Sequence, residues 1–382
     1  MASNPTVFLD ITIGTEKIGR IVLQLYNDLA PKAVTNFLTL INSHQYNGVY
    51  FHRVIKNFVV QAGDIRNARF DGDEGGPYPN PVAGKFNESS FEDEPHFNVE
   101  NTTEPFDRPF KLAMANDGNP NSNGCQFFIS TYPQPHLSGK YTIFGKVIHG
   151  KSVVRTMERV TTNSDDVPIQ EQIITIADSG LWNAASDPIP IYNASYDPIG
   201  GDIYEEYPGD DEGNFDAEKP IETLKASEII KESGTLLYKK GERSSAAMKY
   251  KKCLRYIAEF IPDEDQEPQV YKGFVDLKKK TYLNLSLVEL QLKHYPQVIQ
   301  YSDWLLELEG IKLTNQELAK AYYRRGVALL EQRKLENALS SLKQAHGFLP
   351  QDEGIKRDLE RAETSLDLKK QKQKAKLATF FQ

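Results

Sequence analysis

The spacing of apolar residues changes near residue 220, and this change limits the fold more than any other feature of the sequence. Before residue 182, apolar residues often alternate with polar ones, as in VFLDITIG (7–14) and RIVLQLY (20–26), which predicts half-buried β-strands. From residue 221 onward they recur at helical spacing. A chain of 382 residues is also too long for one ordinary core. We therefore expect two domains, a mostly β domain over 1–182 and an all-α domain over 221–382.

The charge distribution places a boundary between these two parts. The net charge of −8 divides into −5 over 1–182, −9 over 183–220 and +6 over 221–382. The middle segment has ten acidic residues against one lysine, with repeated Pro and Gly and no periodicity. We interpret it as an extended acidic linker, either an interaction feature or, as the favoured alternative, a solvated and self-repelling spacer. Its candidates for partial packing are Ile189, Ile191, Tyr192 and Tyr204.

Composition and motif spacing argue against several classes of function. The N-terminus MASNPTVFLD lacks the pattern of a signal peptide, and no stretch approaches the ~18 apolar residues of a membrane helix. Cys125 and Cys253 have no metal-ligand spacing, which favours a reducing compartment over a disulfide framework. The seven histidines are scattered, so we expect no metal and no cofactor. An acidic chain without an aromatic and basic groove also predicts no nucleic-acid binding.

The first domain is predicted to be a small closed β-barrel. The strands at 7–14 and 20–26 form a hairpin joined by GTEKIG (14–19), and APKAVTNFLTLINSH (30–44) has the apolar stripe of a helix. Further short strands follow, a second helix begins near Lys151, and IITIADSGLW closes the domain. Many short strands with two helices favour a barrel, because closure removes exposed sheet edges.

Three segments identify a family. FHRVIKNFVVQAGD (51–64), LAMANDGNPNSNGCQFFIS (112–130) and HLSGKYTIFGKV (136–147) resemble the signature segments of the cyclophilins, which are peptidyl-prolyl cis/trans isomerases. The resemblance covers 5–182. It implies a closed, eight-stranded antiparallel barrel capped by two helices, with the active groove on its outer surface.

The chemistry of proline isomerisation explains why such residue types occur together. Amide resonance opposes rotation about the X–Pro bond with a barrier of ~18–20 kcal/mol. Catalysis needs an apolar slot for the proline ring and a donor that engages the prolyl nitrogen, with further polar groups to hold the flanking backbone. This is preorganised electrostatics and not covalent catalysis.

The resemblance implies six catalytic residues. Arg53 corresponds to the donor toward the prolyl amide, and Gln61 to the residue that positions it. Asn116 offers its backbone to the substrate, and Gln126 lines the groove. The alternatives are a surface salt bridge for Arg53 and simple core packing for the aromatic residues. The full predicted set is Arg53, Phe58, Gln61, Asn116, Gln126 and Phe128.

Several pocket positions depart from the family pattern. Val59 replaces a methionine, Asp117 replaces a small residue, and Tyr141 replaces a histidine. His136 stands where common cyclophilins carry the tryptophan that binds cyclosporin. These departures predict measurable but reduced isomerase activity and weak cyclosporin binding at best. The predicted pocket set is Val59, Ala115, Asp117, His136, Leu137 and Tyr141. The irregular segment 65–105 cannot be matched residue by residue.

The second domain contains an internal repeat. Small residues recur at the spacing of tetratricopeptide (TPR) repeats in segments near 227–260, 279–312 and 319–352. Each repeat is a helix pair, and stacking three pairs produces a superhelix with a concave groove. A long final helix follows, with a lysine-rich stretch at 369–376. This stretch is either a tail that binds calmodulin or an acidic surface of a partner, or a solvated capping helix.

Polar residues on the first helices resemble the carboxylate clamp of the TPR family. The clamp holds the C-terminal carboxylate and last aspartate of cytosolic heat-shock chaperones, and cations with an amide suit that ligand. The alternative is a structural scaffold with solvated charges. The predicted partner-binding residues are Lys231, Thr235, Asn284, Lys320 and Arg324.

The order of barrel, acidic linker and repeats resembles the cyclophilin-40 type, most closely its fungal members in GGDIYEEYP and KSVVR. This resemblance implies a cytoplasmic co-chaperone that docks on the acidic tail of heat-shock protein 90, with heat-shock protein 70 as a second candidate. It also implies action on proline-containing clients. The alternative is mainly a chaperone-binding adaptor with weak or vestigial isomerase activity.

Overall fold

The protein forms two compact units, Met1–Tyr192 and Asn193–Gln382. The computed structural model describes residues 4–66, 88–187, 197–213, 215 and 219–380, with side chains through residue 374. Ile189, Ile191 and Tyr192, which were predicted to pack in part, lie outside the described residues. So does much of the irregular segment 65–105.

The N-terminal unit is built on eight antiparallel strands. They are β1 Thr6–Ile13, β2 Glu16–Leu25, β3 Arg53–Ile55, β4 Val59–Ala62, β5 Lys111–Met114, β6 Phe127–Ser130, β7 Ile143–His149 and β8 Ile174–Leu181. The strand order is β3-β4-β6-β5-β7-β2-β1-β8. Tyr50, just before β3, bridges to Thr175 in β8, and the Phe51 N–H donates to the Ile174 carbonyl at 2.8 Å. These bonds join the two edges of the sheet, as a closed barrel requires.

The first hairpin differs from the prediction. The turn between β1 and β2 consists of Gly14 and Thr15 alone, whereas the sequence suggested the whole of GTEKIG. Glu16 and Lys17 are exposed and still pair with β1, because polar residues are tolerated where the end of a strand faces water. Gly14 has a φ of +56°, and a side chain there would meet the Glu171 carbonyl at 2.8 Å. A glycine is therefore required at this turn.

Two helices complete the barrel, as predicted. Helix α1 spans Pro31–Asn42 and α2 spans Lys151–Met157. Pro31 occupies the first turn of α1, where its missing N–H costs no hydrogen bond. The predicted apolar stripe of α1 is buried, and Phe37 meets Phe127 edge to face at 5.2 Å between ring centroids.

The C-terminal unit is helical in its described residues beyond 219. Its helices are α3 Pro220–Lys239, α4 Arg243–Glu259, α5 Pro268–Gln291, α6 Tyr295–Leu306, α7 Asn315–Glu331, α8 Leu335–Phe348 and α9 Glu353–Phe380. The predicted fold class, a cyclophilin-like barrel with an all-helical unit, is confirmed. A β-carbon on Gly234 would lie 2.8 Å from Tyr250, and one on Gly326 would lie 2.7 Å from Leu342. Small residues therefore stand where paired helices approach closely, as the repeat predicts.

The acidic segment is not a solvated spacer over its described residues 197–213. Asp202 is fully buried and accepts hydrogen bonds from Lys249 at 2.6 Å and Lys252 at 2.8 Å, both fully buried on α4. Tyr204 packs near the Tyr256 ring, 6.2 Å between centroids. The solvated interpretation was wrong here, because the linker's negative charge has cationic partners on α4 that lie far away in the sequence.

None of the helices in the described part of the chain is both long and apolar enough to span a bilayer.

Candidate functional site

The predicted proline groove corresponds to a second apolar cluster, separate from the barrel core. Alternate residues of a strand face opposite sides of the sheet, so Phe127 of β6 joins the core while Phe128 joins the groove. Val60 and Val59 of β4 divide in the same way. The groove cluster consists of Val59, Phe106, Ala113, Ala115, Phe128, Leu137 and Ile143, with Tyr26, Phe58 and Tyr141 packed against it.

Aromatic contacts give the groove its walls. Tyr141 meets Phe128 edge to face, with centroids 5.6 Å apart and planes at 85°. Phe58 stacks on the exposed His136 at 5.9 Å and 13°. Phe106 stacks under Phe128 at 6.0 Å. Tyr141 thus packs on Phe128 beside this cluster, and its role as a wall of the proline groove stays a prediction.

Four members of the cluster were not among the predicted site residues. Ala113 and Ile143 lie within signature segments but were not named as pocket residues. Tyr26 follows β2 and Phe106 lies in the irregular region before β5, so neither belongs to a signature segment. The alternation of RIVLQLY gave a weak signal for Tyr26, because it continues the face of Val22 and Gln24, opposite the core face. For Phe106 the sequence offered no signal of this kind.

The polar side of the groove lies across three neighbouring strands. Arg53 on β3 pairs in register with Gln61 on β4, and Gln61 pairs with Phe128 on β6. The Gln61 side chain donates from Nε2 to Gln126 Oε1 at 3.0 Å. The Arg53 guanidinium is 47% exposed and lies 3.5 Å from the Asp166 carboxylate (Nε to Oδ2). The salt bridge foreseen as an alternative is therefore present, but it leaves the guanidinium accessible to a ligand.

The loop after β5 brings two further predicted residues to the groove. Asn116 donates from Nδ2 to the Lys140 carbonyl at 3.1 Å and accepts from the Gly118 N–H, which joins this loop to the segment that carries Tyr141. Asp117 is exposed. Hydrogen bonding by Ser122 and by the Asn119 N–H keeps the pKa of Asp117 below its ordinary value. The loop therefore carries a negative charge at neutral pH.

His52 lies directly beside the predicted catalytic arginine but inside the protein. Its side chain is buried, and burial lowers its pKa to about 4. The imidazole is therefore neutral at physiological pH and adds no charge next to Arg53.

The arrangement suits rotation about a prolyl bond. Arg53, whose guanidinium is accessible, pairs in register with Gln61, and Gln61 pairs with Phe128 of the apolar cluster and donates to Gln126. Such a site can hold a proline ring, donate to its nitrogen and orient the flanking peptide. The twelve predicted groove residues lie on β3, β4 and β6, in the turn between β3 and β4, in the loop after β5, or in the segment 135–141. The catalytic roles of individual residues stay predictions.

The predicted clamp residues lie on the first helices of the three pairs. Lys231 and Thr235 are on α3, Asn284 is on α5, and Lys320 and Arg324 are on α7. Helix α5 contacts both α3 and α7, so the three helices form one continuous surface.

The clamp residues differ in how they are held. Lys320 is exposed. Lys231 forms an ion pair with Glu232 at 3.2 Å, and Thr235 donates back to the Lys231 carbonyl at 3.1 Å. That these side chains lie close enough together to bind one carboxylate ligand stays a prediction.

Arg324 binds the neighbouring helix α5. Its guanidinium donates to the Leu283 carbonyl at 2.6 Å and to the Ser286 hydroxyl at 3.0 Å. Burial lowers its pKa to about 10. Arg324 therefore ties α7 to α5 in addition to any contact with a ligand.

A family model described as cyclophilin type peptidyl-prolyl cis-trans isomerase/CLD matches residues 8–179. The chain is 42% identical over 400 residues to the peptidyl-prolyl cis-trans isomerase CYP7 of Saccharomyces cerevisiae, covering 100% of both proteins. It is 35% identical to the peptidyl-prolyl cis-trans isomerase D of Kluyveromyces lactis, covering 99% of both. A solved cyclophilin-type isomerase from Cryptosporidium parvum is 31% identical, with 47% of this chain and 98% of that chain covered at a TM-score of 0.39.

Both full-length relatives are yeast proteins named as isomerases, in agreement with the fungal resemblance. The barrel matches the family model, and the identity to these relatives extends through the helical unit as well. The chain therefore belongs to the cyclophilin-type peptidyl-prolyl cis/trans isomerases and has the two-part organisation of the cyclophilin-40 type.

Proposed function

We propose that this isomerase docks through α3, α5 and α7 on the acidic C-terminal tail of heat-shock protein 90 and acts there on proline-containing client proteins. The observation that carries the proposal is the placement of Lys231, Asn284 and Lys320 on three successive first helices. A free carboxylate with a neighbouring aspartate is the ligand that such cations and amides prefer. The cytoplasm is the compartment that this partner implies.

In the barrel, we propose that Arg53 donates to the prolyl nitrogen and so weakens amide resonance. The proline ring would rest on Phe128, with Phe58 and Leu137 beside it, while Gln61 orients the arginine. Rotation would then proceed without a bond to the protein, because stabilising the twisted amide is sufficient.

The docking proposal is tested by titrating the full-length protein with a peptide of the chaperone's acidic C-terminus. Lys320→Ala is expected to abolish measurable binding, because it removes a cation that would hold a carboxylate of the peptide. The fold is expected to stay intact, since Lys320 is exposed. Lys343→Ala is the matched control, since Lys343 is an exposed lysine on α8, the second helix of the same pair. Its binding is expected to equal that of the wild type.

The ligand's free carboxylate provides a second arm of this test. A peptide with an amidated C-terminus is expected to lose binding to the wild-type protein, because the clamp would then have no terminal charge to hold. Equal binding of the free and amidated peptides, or of Lys320→Ala and the wild type, would contradict the clamp assignment. Running the heat-shock protein 70 tail in parallel establishes which chaperone is preferred.

A second candidate function is an adaptor whose barrel is a weak isomerase. It is favoured by Tyr141 packed on Phe128, by the smaller Val59 and by the charged Asp117, since each departs from the family pattern. The rate of exchange between cis and trans forms of an X–Pro peptide separates the two. A wild-type rate no greater than that of Arg53→Ala would favour the adaptor.

A further inference from the structure

The two glutamines of the groove, Gln61 and Gln126, raise a question of orientation. The oxygen of an amide accepts hydrogen bonds and its nitrogen donates them. Turning either amide over would exchange these roles and present the groove with the wrong group. A groove that uses Gln61 to position Arg53 therefore needs something that fixes which way both amides face.

Asp64 lies beside Gln126 because of how β4 ends. Gly63, the residue after the strand, has a φ of +97°, and a β-carbon there would meet the Cys125 carbonyl at 2.5 Å. Only glycine allows the chain to pass this closely. The next residue, Asp64, is 3% exposed and accepts the Arg66 N–H at 3.2 Å through Oδ1.

The other Asp64 oxygen determines the orientation of Gln126. Gln126 Nε2 donates to Asp64 Oδ2 at 3.4 Å. Asp64 accepts this hydrogen bond, so the NH2 group of Gln126 faces Asp64 and its oxygen faces away. That oxygen accepts from Gln61 Nε2 at 3.0 Å. The oxygen of Gln61 is in turn directed away from Gln126, on the strand that pairs with Arg53.

The backbone under this relay is held by buried donors. Tyr46 donates from its hydroxyl to the Cys125 carbonyl at 2.7 Å, and Asn36 donates to the Gly124 carbonyl at 2.9 Å. The Ala115 N–H donates to the Gln126 carbonyl at 3.0 Å. Because the chain on either side of Gln126 is fixed, a small change in its side-chain orientation passes to Gln61 and is not absorbed by the backbone.

We propose that Asp64 is a positioning residue for the isomerase reaction. Its carboxylate fixes the direction of the relay Asp64–Gln126–Gln61 and so presents the Gln61 oxygen as the acceptor that orients Arg53 and the substrate. Asp64 itself touches no substrate and acts only through the two amides.

The first test compares Asp64→Asn with the wild type in the peptide exchange measurement. Asparagine has the shape of aspartate but can donate as well as accept, so the relay loses its fixed direction. The expected loss in kcat/KM is about tenfold, the size expected for one hydrogen bond to a charged group. Asp28→Asn, an exposed acid in the same unit, is the control and is expected to keep the wild-type value.

A double-mutant cycle separates positioning from general damage. In a Gln126→Ala background the relay is already broken, so adding Asp64→Asn is expected to change kcat/KM by less than about twofold. A full tenfold loss in that background, or no loss in the single variant, would overturn the proposal.

A measurement on the wild-type protein does not depend on whether the variant folds. With 15N-glutamine labelling, the side-chain NH2 protons of Gln126 are expected to show nuclear Overhauser effects to the β-protons of Asp64. The NH2 protons of Gln61 are expected to show them to the side chain of Gln126. Gln126 NH2 protons close to Gln61 and remote from Asp64 would mean that the amide faces the other way, and would overturn the proposal.

Discussion

Arg53 in the barrel and Arg324 in the helical unit were both predicted to grip a ligand, but the protein holds them differently. Arg53 is about half exposed and has a loose carboxylate neighbour in Asp166, at 3.5 Å. Arg324 is packed between helices, donates to Leu283 and Ser286, and has its pKa lowered to about 10 by burial. The same residue type is thus open to a ligand in one unit and part of the packing in the other.

The acidic residues of the two units differ in exposure in the same way as these two arginines. In the barrel, the carboxylates of Asp117 and Asp166 keep contact with solvent. The helical unit instead buries Asp202 together with two lysines, and burial lowers the pKa of both lysines. Removing the buried charge of Asp202 from the helical unit should therefore cost folding, while removing the exposed charge of Arg53 from the groove should cost activity.

The largest expected effect is on the helical unit. Asp202→Ala leaves Lys249 and Lys252 buried without their carboxylate, and breaking such a buried pair costs roughly 3–5 kcal/mol. Thermal unfolding of the full-length protein, followed by circular dichroism at 222 nm, is expected to shift to lower temperature, while isomerase activity is retained at 25 °C.

The control for this change is Asp265→Ala, an exposed acid of the same unit. Its melting is expected to match the wild type. Unchanged melting of Asp202→Ala would show that segment 197–213 contributes little to the stability of the unit.

The next largest effect is on catalysis. Arg53→Ala is expected to lower kcat/KM by roughly 10²–10³-fold, the usual loss when one preorganised donor is removed. Melting of the protein is expected to stay the same, because an exposed ion pair is worth little. Lys56→Ala, an exposed cation three residues along, is the matched control. A large loss of stability with little loss of rate would reverse the contrast between the two units.

A third prediction concerns pH and the buried His52 of the barrel. Its pKa is about 4 in the folded protein and about 6.5 in an unfolded chain. Between these values the unfolded chain binds more protons, so stability is complete above pH 6.5 and falls as the pH drops toward 4. The total loss is about 3 kcal/mol.

Urea titrations at pH 7 and pH 5, read by residual isomerase activity, measure this loss for the barrel. His52→Gln is expected to reduce the difference between the two pH values. An identical pH dependence in the wild type and in His52→Gln would mean that His52 is not the group responsible.

The smallest expected effect is at Tyr141. Tyr141→His restores the family's residue while keeping an aromatic ring against Phe128, so we expect a rise in kcat/KM of about two- to fivefold, less than a tenth of the loss at Arg53. Tyr132→His, at an exposed tyrosine of the same unit, is the control. No change at Tyr141 would mean that this wall does not limit the rate.

Much of the groove could be predicted because its residues are concentrated in three short segments. Phe128 and Val59 were identified from their neighbours, and strand alternation then placed them opposite the core residues Phe127 and Val60. Asp64 also belongs to a signature segment, yet its connection to Gln126 was not foreseen. Its partner lies 62 residues away, and no local pattern reports which buried amide a carboxylate will meet.

The helical unit shows the same limit more strongly. The repeat spacing predicted the helix pairs, because small residues must recur where helices approach closely. It could not predict that Arg324 would turn toward α5, since a helical pattern gives the face of a residue but not the partner of its guanidinium.

By itself, the sequence determined the two-part organisation, the barrel with its groove residues and the paired helices. These follow from periodicity, small residues and signature segments, which are local properties of the chain. Only the tertiary structure decided how the charges are used. From the sequence, the acidic segment was interpreted as a spacer because its excess negative charge should repel itself. In the structure it packs against α4, because Lys249 and Lys252 of that helix donate to Asp202. The partner of a charged side chain depends on which groups lie near it in the folded protein, and burial makes a charge without such a partner costly.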